Sequence, residues 1–294
     1  TIVNDAALNF STSTVGGALT ATATTGNITD SGALAITGTT TLVTSADNGT
    51  IVLDVTTNAF TGALTITTND SSGTDADVTI DGGTTALIIA ASTIDGDLTL
   101  TSGNASGITD SGTVTVGGNL SATTDANAGV INLGTMAVDG SFTLAPNGSG
   151  AVTIVNDAAL TLAASTMGGT FSGTATTGDI TDSGTLTITG TATFKTGADG
   201  SNIVLDSSSN AYSAAVTMIA DAGGEDFGNI TFVDSAAIDF ATSASSNGDL
   251  YINSSTDGTV GGNLSVTATT GNITDTVALA VTGTTTLVTS ADNG

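Results

Sequence analysis

Leu or Ile alternates with Thr in short runs all along the chain, as in Ala63-Leu64-Thr65-Ile66-Thr67, Asp97-Leu98-Thr99-Leu100-Thr101 and Thr185-Leu186-Thr187-Ile188-Thr189. A period of two puts the aliphatic residues on one face of a strand and Thr on the other. Between the runs stand Asp47-Asn48-Gly49, Asp81-Gly82-Gly83, Asn147-Gly148 and Asp199-Gly200, turn sequences whose Gly and Asn tolerate positive φ. The pattern predicts short strands separated by tight turns. The single proline, Pro146, stands beside Asn147-Gly148, where a turn does not need the missing amide.

The modules recur over long distances. Thr1-Ile2-Val3-Asn4-Asp5-Ala6-Ala7-Leu8 returns unchanged at residues 153–160, an offset of 153 − 1 = 152. The same offset carries Ile28-Thr29-Asp30-Ser31-Gly32 onto residues 180–184 and Ile51-Val52-Leu53-Asp54 onto residues 203–206. Further on the register slips, because Gly117-Gly118-Asn119-Leu120 returns at residues 261–264, an offset of 144. Residues 271–294 nearly repeat residues 26–49, as if a third copy were beginning. Residues 1–294 are expected to form one continuous segment of a longer repetitive chain, with long copies at 1–152 and 153–294. Hairpin meanders would also use short strands, but modules returning in register favour coiling, with each module stacked on its own homologue. The expected fold is all-β, a parallel β-helix (β-solenoid) with coils of about 20 to 25 residues, each rising about 4.8 Å.

Composition narrows the class. Lys195 is the only Lys, Glu225 the only Glu, and there is no Arg or Gln, so the long polar helix formers are missing. The formal net charge of -26 would suit a disordered chain, but a 39% hydrophobic fraction and a mean hydropathy of +0.33 supply apolar surface to bury. No Cys is present to form disulfides or thiolate metal sites. The longest apolar run, residues 86–91, is far short of the roughly 20 residues of a membrane-spanning helix. Membrane insertion is not expected, and the first residue, Thr1, suggests an internal or processed piece whose export signal lies elsewhere.

The runs Ala158-Ala159-Leu160-Thr161-Leu162-Ala163-Ala164-Ser165-Thr166-Met167-Gly168-Gly169 and Gly178-Asp179-Ile180-Thr181-Asp182-Ser183-Gly184-Thr185-Leu186-Thr187-Ile188-Thr189-Gly190 resemble repeats of filamentous-haemagglutinin-like adhesins of the two-partner-secretion type. The resemblance extends over essentially the whole chain. It implies a right-handed parallel β-helix, secretion through an outer-membrane barrel partner, and roles in attachment, biofilm or contact with host or neighbouring cells. The family's secretion domain has no counterpart in this sequence.

Candidate chemistry is sparse. Polysaccharide-cleaving β-helices need carboxylates converging with Arg, Lys or His and aromatic platforms for sugar, whereas this chain has no His, Arg or Trp and only Tyr212 and Tyr251 as tyrosines. It is expected not to be an enzyme, with no catalytic, cofactor-binding or metal residues. Asp5, Asp54, Asp157 and Asp206, and Asp30, Asp110, Asp182 and Asp275, recur with the repeat. Stacking would align some of them into acidic columns that weak surface calcium would relieve. Alternatively each Asp accepts turn amide hydrogen bonds with its charge solvated, the reading favoured by the absence of the glycine-aspartate nonapeptide of calcium-dependent β-rolls. Thr-x-Thr units such as Thr65-Ile66-Thr67 could form an ice-binding array or simply be outward strand residues. Lys195 replaces the Val43 of the other copy and reads as an exposed substitution. Phe10, Phe60, Phe142, Phe171, Phe194, Phe227, Phe232 and Phe240 are too scattered for base stacking, and the negative charge repels phosphate, so no nucleic-acid partner is expected. The function expected is that of a structural, extracellular or cell-surface rod that self-associates into filaments by continuing the β-ladder end to end. The alternative is a repetitive face that binds calcium, ice or a surface glycan.

Overall fold

The computed structural model describes every residue except 70, 72–74, 221–227, 241–248, 253–258, 261, 276–278 and 291–294. The described residues contain no helix, and the strands pair in parallel, each with the corresponding strand of the next coil. The protein is a parallel β-solenoid. It divides into two compact units, Thr1–Ile154 and Val155–Gly294.

In the first unit, sheet A begins with Ile2–Asn4, Leu19–Ala23, Thr40–Thr44 and Leu64–Thr67. Sheet B stacks seven strands: Leu8–Phe10, Ile28–Asp30, Ile51–Leu53, Val78–Asp81, Leu98–Ser102, Leu120–Thr124 and Ser141–Ala145. A short third sheet joins Ser13–Val15, Leu34–Ile36 and Ala59–Phe60. In the second unit, sheet C contains Phe171–Ala175, Ala192–Thr196 and Val216–Ala220, and sheet D contains Leu160–Leu162, Ile180–Asp182, Ile203–Leu205, Ile230–Asp234, Leu264–Ala268 and Thr285–Thr289.

Alternation sets the inside and outside of each coil. In Leu98–Ser102 the residues Leu98, Leu100 and Ser102 are buried while Thr99 and Thr101 are partly exposed. Leu98 pairs with Leu120 and Leu120 with Phe142, all three fully buried, so aliphatic and aromatic side chains stack in a column through the core. Each such side chain contributes about 1.5–3 kcal/mol by leaving water. In the second unit the inner column is aromatic: Phe171 and Phe194 have ring centroids 5.1 Å apart, Phe194 and Tyr212 6.2 Å, and Tyr212 and Phe232 4.9 Å. Phe10 is only half-buried, Phe60, Phe142 and Phe240 are buried, and Phe227 lies outside the described residues.

As expected, each strand stacks on the corresponding strand of the next coil, 120 − 98 = 22 residues on for Leu98, within the expected coil length, and 78 − 51 = 27 for Ile51, slightly beyond it. Neighbouring strands need only matching alternation to stack, which adjacent coils already have. In sheet D the spacing reaches 264 − 230 = 34. The turn glycines also divide: Gly83, Gly148 and Gly200 have positive φ as expected, but Gly49 does not. At Gly49 space is the constraint, since a Cβ would lie 3.0 Å from Thr44 Cβ, and the Thr44 hydroxyl donates to the Gly49 carbonyl at 2.8 Å. The one described non-glycine residue at positive φ is Ala128 (φ 59), in a turn closed by the Gly129 N–H to the Ala126 carbonyl at 2.9 Å.

The left-handed region costs an L-residue about 1–2 kcal/mol, against about 0.5–1 kcal/mol for the extra unfolded-state entropy of glycine. Ala128→Gly is therefore expected to stabilise the first unit by roughly 0.5–1 kcal/mol in urea unfolding.

Candidate functional site

The chemically distinctive groups lie at the corners where coils meet. Each strand of sheet B is entered through a residue whose N–H needs an acceptor, and in the central coils the side chain of the coil before provides it. Asp77 Oδ1 accepts from the Asp97 N–H at 2.8 Å, and Asp97 Oδ1 from the Asn119 N–H at 2.6 Å. Asn119 Oδ1 in turn accepts from the Ser141 N–H at 2.9 Å. Asn27 Oδ1 serves the Thr50 N–H at 3.0 Å in the same way. The preceding residue is glycine because the acceptor occupies the space of a side chain: a Cβ on Gly96 would collide with Asp77 Oδ1, and one on Gly118 with Asp97 Oδ1. Neither glycine has positive φ.

Sheet D of the second unit has the same ladder. Asp179 Oδ1 accepts from the Asn202 N–H at 2.7 Å, Asn202 Oδ1 from Asn229 at 2.9 Å, Asn229 Oδ1 from Asn263 at 2.8 Å and Asn263 Oδ1 from Thr284 at 2.8 Å. Most of these corners are exposed, so each link competes with water.

A second device is buried. Asp30 Oδ1 accepts from the Asp54 N–H at 3.2 Å, and Asp30 Oδ2 from Asn58 Nδ2 at 2.6 Å. Asn58 is 1% exposed, and its Oδ1 accepts from the Leu34 N–H at 2.8 Å. The pairing of Ala35 with Ala59 places Leu34 opposite Asn58, so the side-chain amide acts where a backbone carbonyl would otherwise be needed. In the second unit Asp182 accepts from Asp206 N–H at 3.0 Å, Ser207 N–H at 3.2 Å and Asn210 Nδ2 at 2.7 Å, while Asn210 Oδ1 caps the Leu186 N–H at 2.8 Å. Asp110 Oδ1 accepts from the Gly134 N–H at 2.7 Å, and its other oxygen from the Thr135 hydroxyl.

The recurring acids thus have separate roles. Asp30, Asp110 and Asp182 accept amides of the following coil. Asp54 and Asp206 give their amides to this bonding, and Asp5 and Asp157 accept threonine hydroxyls through their main-chain carbonyls. Asp275 pairs through its backbone with Phe240. Asp81 and Asp125 line a recess of ≈ 280 Å³ together with Thr56 and Gly83. Burial pushes the Asp81 carboxyl above the usual range, opposed by the Gly83 N–H and reinforced by Asp125, Asp54 and Asp30. Among the described residues no three acids are grouped so as to hold a metal ion. Asp234 is likewise raised by burial, opposed by the N–H groups of Tyr212, Ala236 and Ser235. It lines a recess of ≈ 330 Å³ with Tyr212, whose hydroxyl is buried without a hydrogen-bond partner and stands where the first copy has Phe60. Lys195 is exposed on sheet C, paired with Thr174 and Ile219. Thr65, Thr99 and Thr187 face outward, and the side chain of Tyr251 lies outside the described set.

Gly118-Asn119 and its return at Gly262-Asn263 mark the repeat in the sequence, and together with Gly96-Asp97, each pair followed by Leu, they are also the signal of the ladder.

Stacked parallel coils locked by forward-reaching side chains define a tandem-repeat β-solenoid. A family described as "Repeats of unknown function (DUF5649)" matches residues 1–67, 75–135, 149–219 and 227–293. The chain belongs to that family. Each matched segment contains one Ile-Thr-Asp triplet, ending at Asp30, Asp110, Asp182 or Asp275. No curated protein and no solved structure matches the chain.

Asn229→Ala removes exposed side-chain bonds to Asn202 and Asn263 and is expected to cost about 1 kcal/mol, whereas Asn210→Leu strands the buried Leu186 N–H and removes a charge-assisted bond to Asp182, which keeps the Ser207 N–H, and should cost roughly 2–3 kcal/mol. Chemical denaturation of both variants measures the difference. A carboxyl whose folded pKa is raised binds protons more readily in the native state, so its stabilising contribution is present below the unfolded value and lost as pH rises through the folded one. Melting temperature is therefore expected to fall as pH rises from about 4, the ordinary carboxyl value, through the raised folded values. The double variant Asp81→Asn/Asp234→Asn should raise the neutral-pH melting temperature and narrow that difference.

Proposed function

We propose that the chain is a structural, non-catalytic rod segment of an extracellular bacterial adhesin or surface filament of the filamentous-haemagglutinin-like kind, continued end to end through its β-ladders. The observation that carries this reading is the use of the Asp30 and Asp182 carboxylates: both oxygens of each accept hydrogen bonds from the next coil, so the groups best suited to chemistry hold the stack together.

Near-absence of Lys and Arg leaves trypsin-like proteases one cleavage position, Lys195, which suits a chain exposed outside the cell.

Cryo-electron microscopy of extracellular material from cells producing the full-length protein is expected to show coils rising about 4.8 Å each and continuing across successive repeat segments. A discrete capped domain, or a chain retained inside the cell, would contradict the proposal.

A further inference from the structure

Two outward columns of sheet A carry no charge on a chain with 27 acidic residues, the partly exposed Asp110 standing apart from them at the end of Ile108–Asp110. Val3, Thr22, Val43, Thr67, Thr93 and Thr115 stack in one outward column through successive coils, and Ala137 follows Thr115. Beside them, Thr20, Thr41 and Thr65 form a second column. Neither column contains a carboxylate. What the first six residues share is a γ-methyl rather than a hydroxyl, so the repeated group on this face is apolar and β-branched. Such a surface suits a second sheet better than an ordered water lattice.

We propose that two copies of this chain pack laterally, sheet A against sheet A. Copies carrying a formal charge of -26 repel one another. Face-to-face sheets lie about 10 Å apart, close to one Debye length at 0.1 M salt. A face lined with Asp would set like charges against each other at that distance, whereas this face sets methyl against methyl and leaves the acids at the corners. The outer face of sheet B is less suitable, because Asp81 stands in one of its outward columns, beside Thr101.

The size of the face determines how the association behaves. One column over seven coils about 4.8 Å apart, with a second about 7 Å beside it over three of them, gives only about 200 Å² per copy, below the roughly 800 Å² per partner of stable complexes. Pairing of single chains is therefore weak and requires salt to screen the corners, and it strengthens when several copies of the face are linked in one chain.

Sedimentation velocity of the chain at about 100 µM, in about 20 mM and about 1 M NaCl, tests this. The chain is expected to be monomeric at low salt and to form dimers at high salt. Thr22→Asp/Thr67→Asp should weaken that association at least tenfold, while Thr79→Asp/Thr99→Asp on the outer face of sheet B should leave it unchanged. All substituted positions face outward, and Lys195 occupies the position corresponding to Val43 in the second copy, so charged residues are compatible with such columns. Thermal unfolding by circular dichroism establishes that both variants remain folded. Four results would overturn the proposal: a monomer at high salt, equal loss in both variants, association that survives both and is therefore axial, or ice shaping by a chain that stays monomeric.

Discussion

Every coil must satisfy the backbone N–H at the corner where the chain enters a strand, and the rest of the structure depends on how this is done. A coil of about 22 residues leaves that amide outside the regular β-ladder but within reach of a short side chain on the previous coil. Asp and Asn have the length to reach it, as between Asp97 and Asn119 or Asn229 and Asn263. The acceptor then occupies the space above the next entry, which is why Gly96 and Gly118 precede their ladder residues. Fixing the corner fixes the phase of the strand, and the phase determines which aliphatic side chains enter the core.

The same constraint distributes the charge. Acids used at corners sit at the margins of the sheets and leave columns of Thr and Val along the centres. The interior is held by stacking of like on like, as Leu98 on Leu120, and in the second unit by tilted ring contact between Phe171 and Phe194, two register steps apart on adjacent coils. Where polar groups enter it, they come in matched sets, as with Asp30 and Asn58 or Asp182 and Asn210. Among the described residues the exceptions are three hydroxyls buried without a partner, those of Thr40, Thr196 and Tyr212, the last a phenol among rings.

Much of the fold was legible because alternation and repetition are local properties. The runs around Leu64, Leu98 and Leu186 are strands, and their aliphatic residues are buried. The partners across coils were not legible, because coil length varies between 22 and 34 residues in the pairings of Leu98 and Ile230, so the sequence leaves the phase open. Thr-Thr-Leu-Val-Thr shows the consequence: residues 40–44 lie on sheet A, which has no Asx ladder at that strand, whereas residues 285–289 follow the Asn263 cap on sheet D. The 152-residue offset concealed the shorter family segment, since 75 − 1 = 74 separates the first two matched segments and the Ile-Thr-Asp triplet falls on sheet B in one and on Ile108–Asp110 of sheet A in the other.

The central claim is that side chains of one coil hold the entry amides of the next. Native-state hydrogen exchange tests it most directly, because these amides lie at exposed corners and would exchange quickly unless bonded. The account predicts that the N–H groups of Asn119, Ser141, Asn229 and Asn263 exchange as slowly as those of the neighbouring buried strand residues, opening only with their unit. Exchange at the rate of the exposed turns, with the strands still protected, would contradict it.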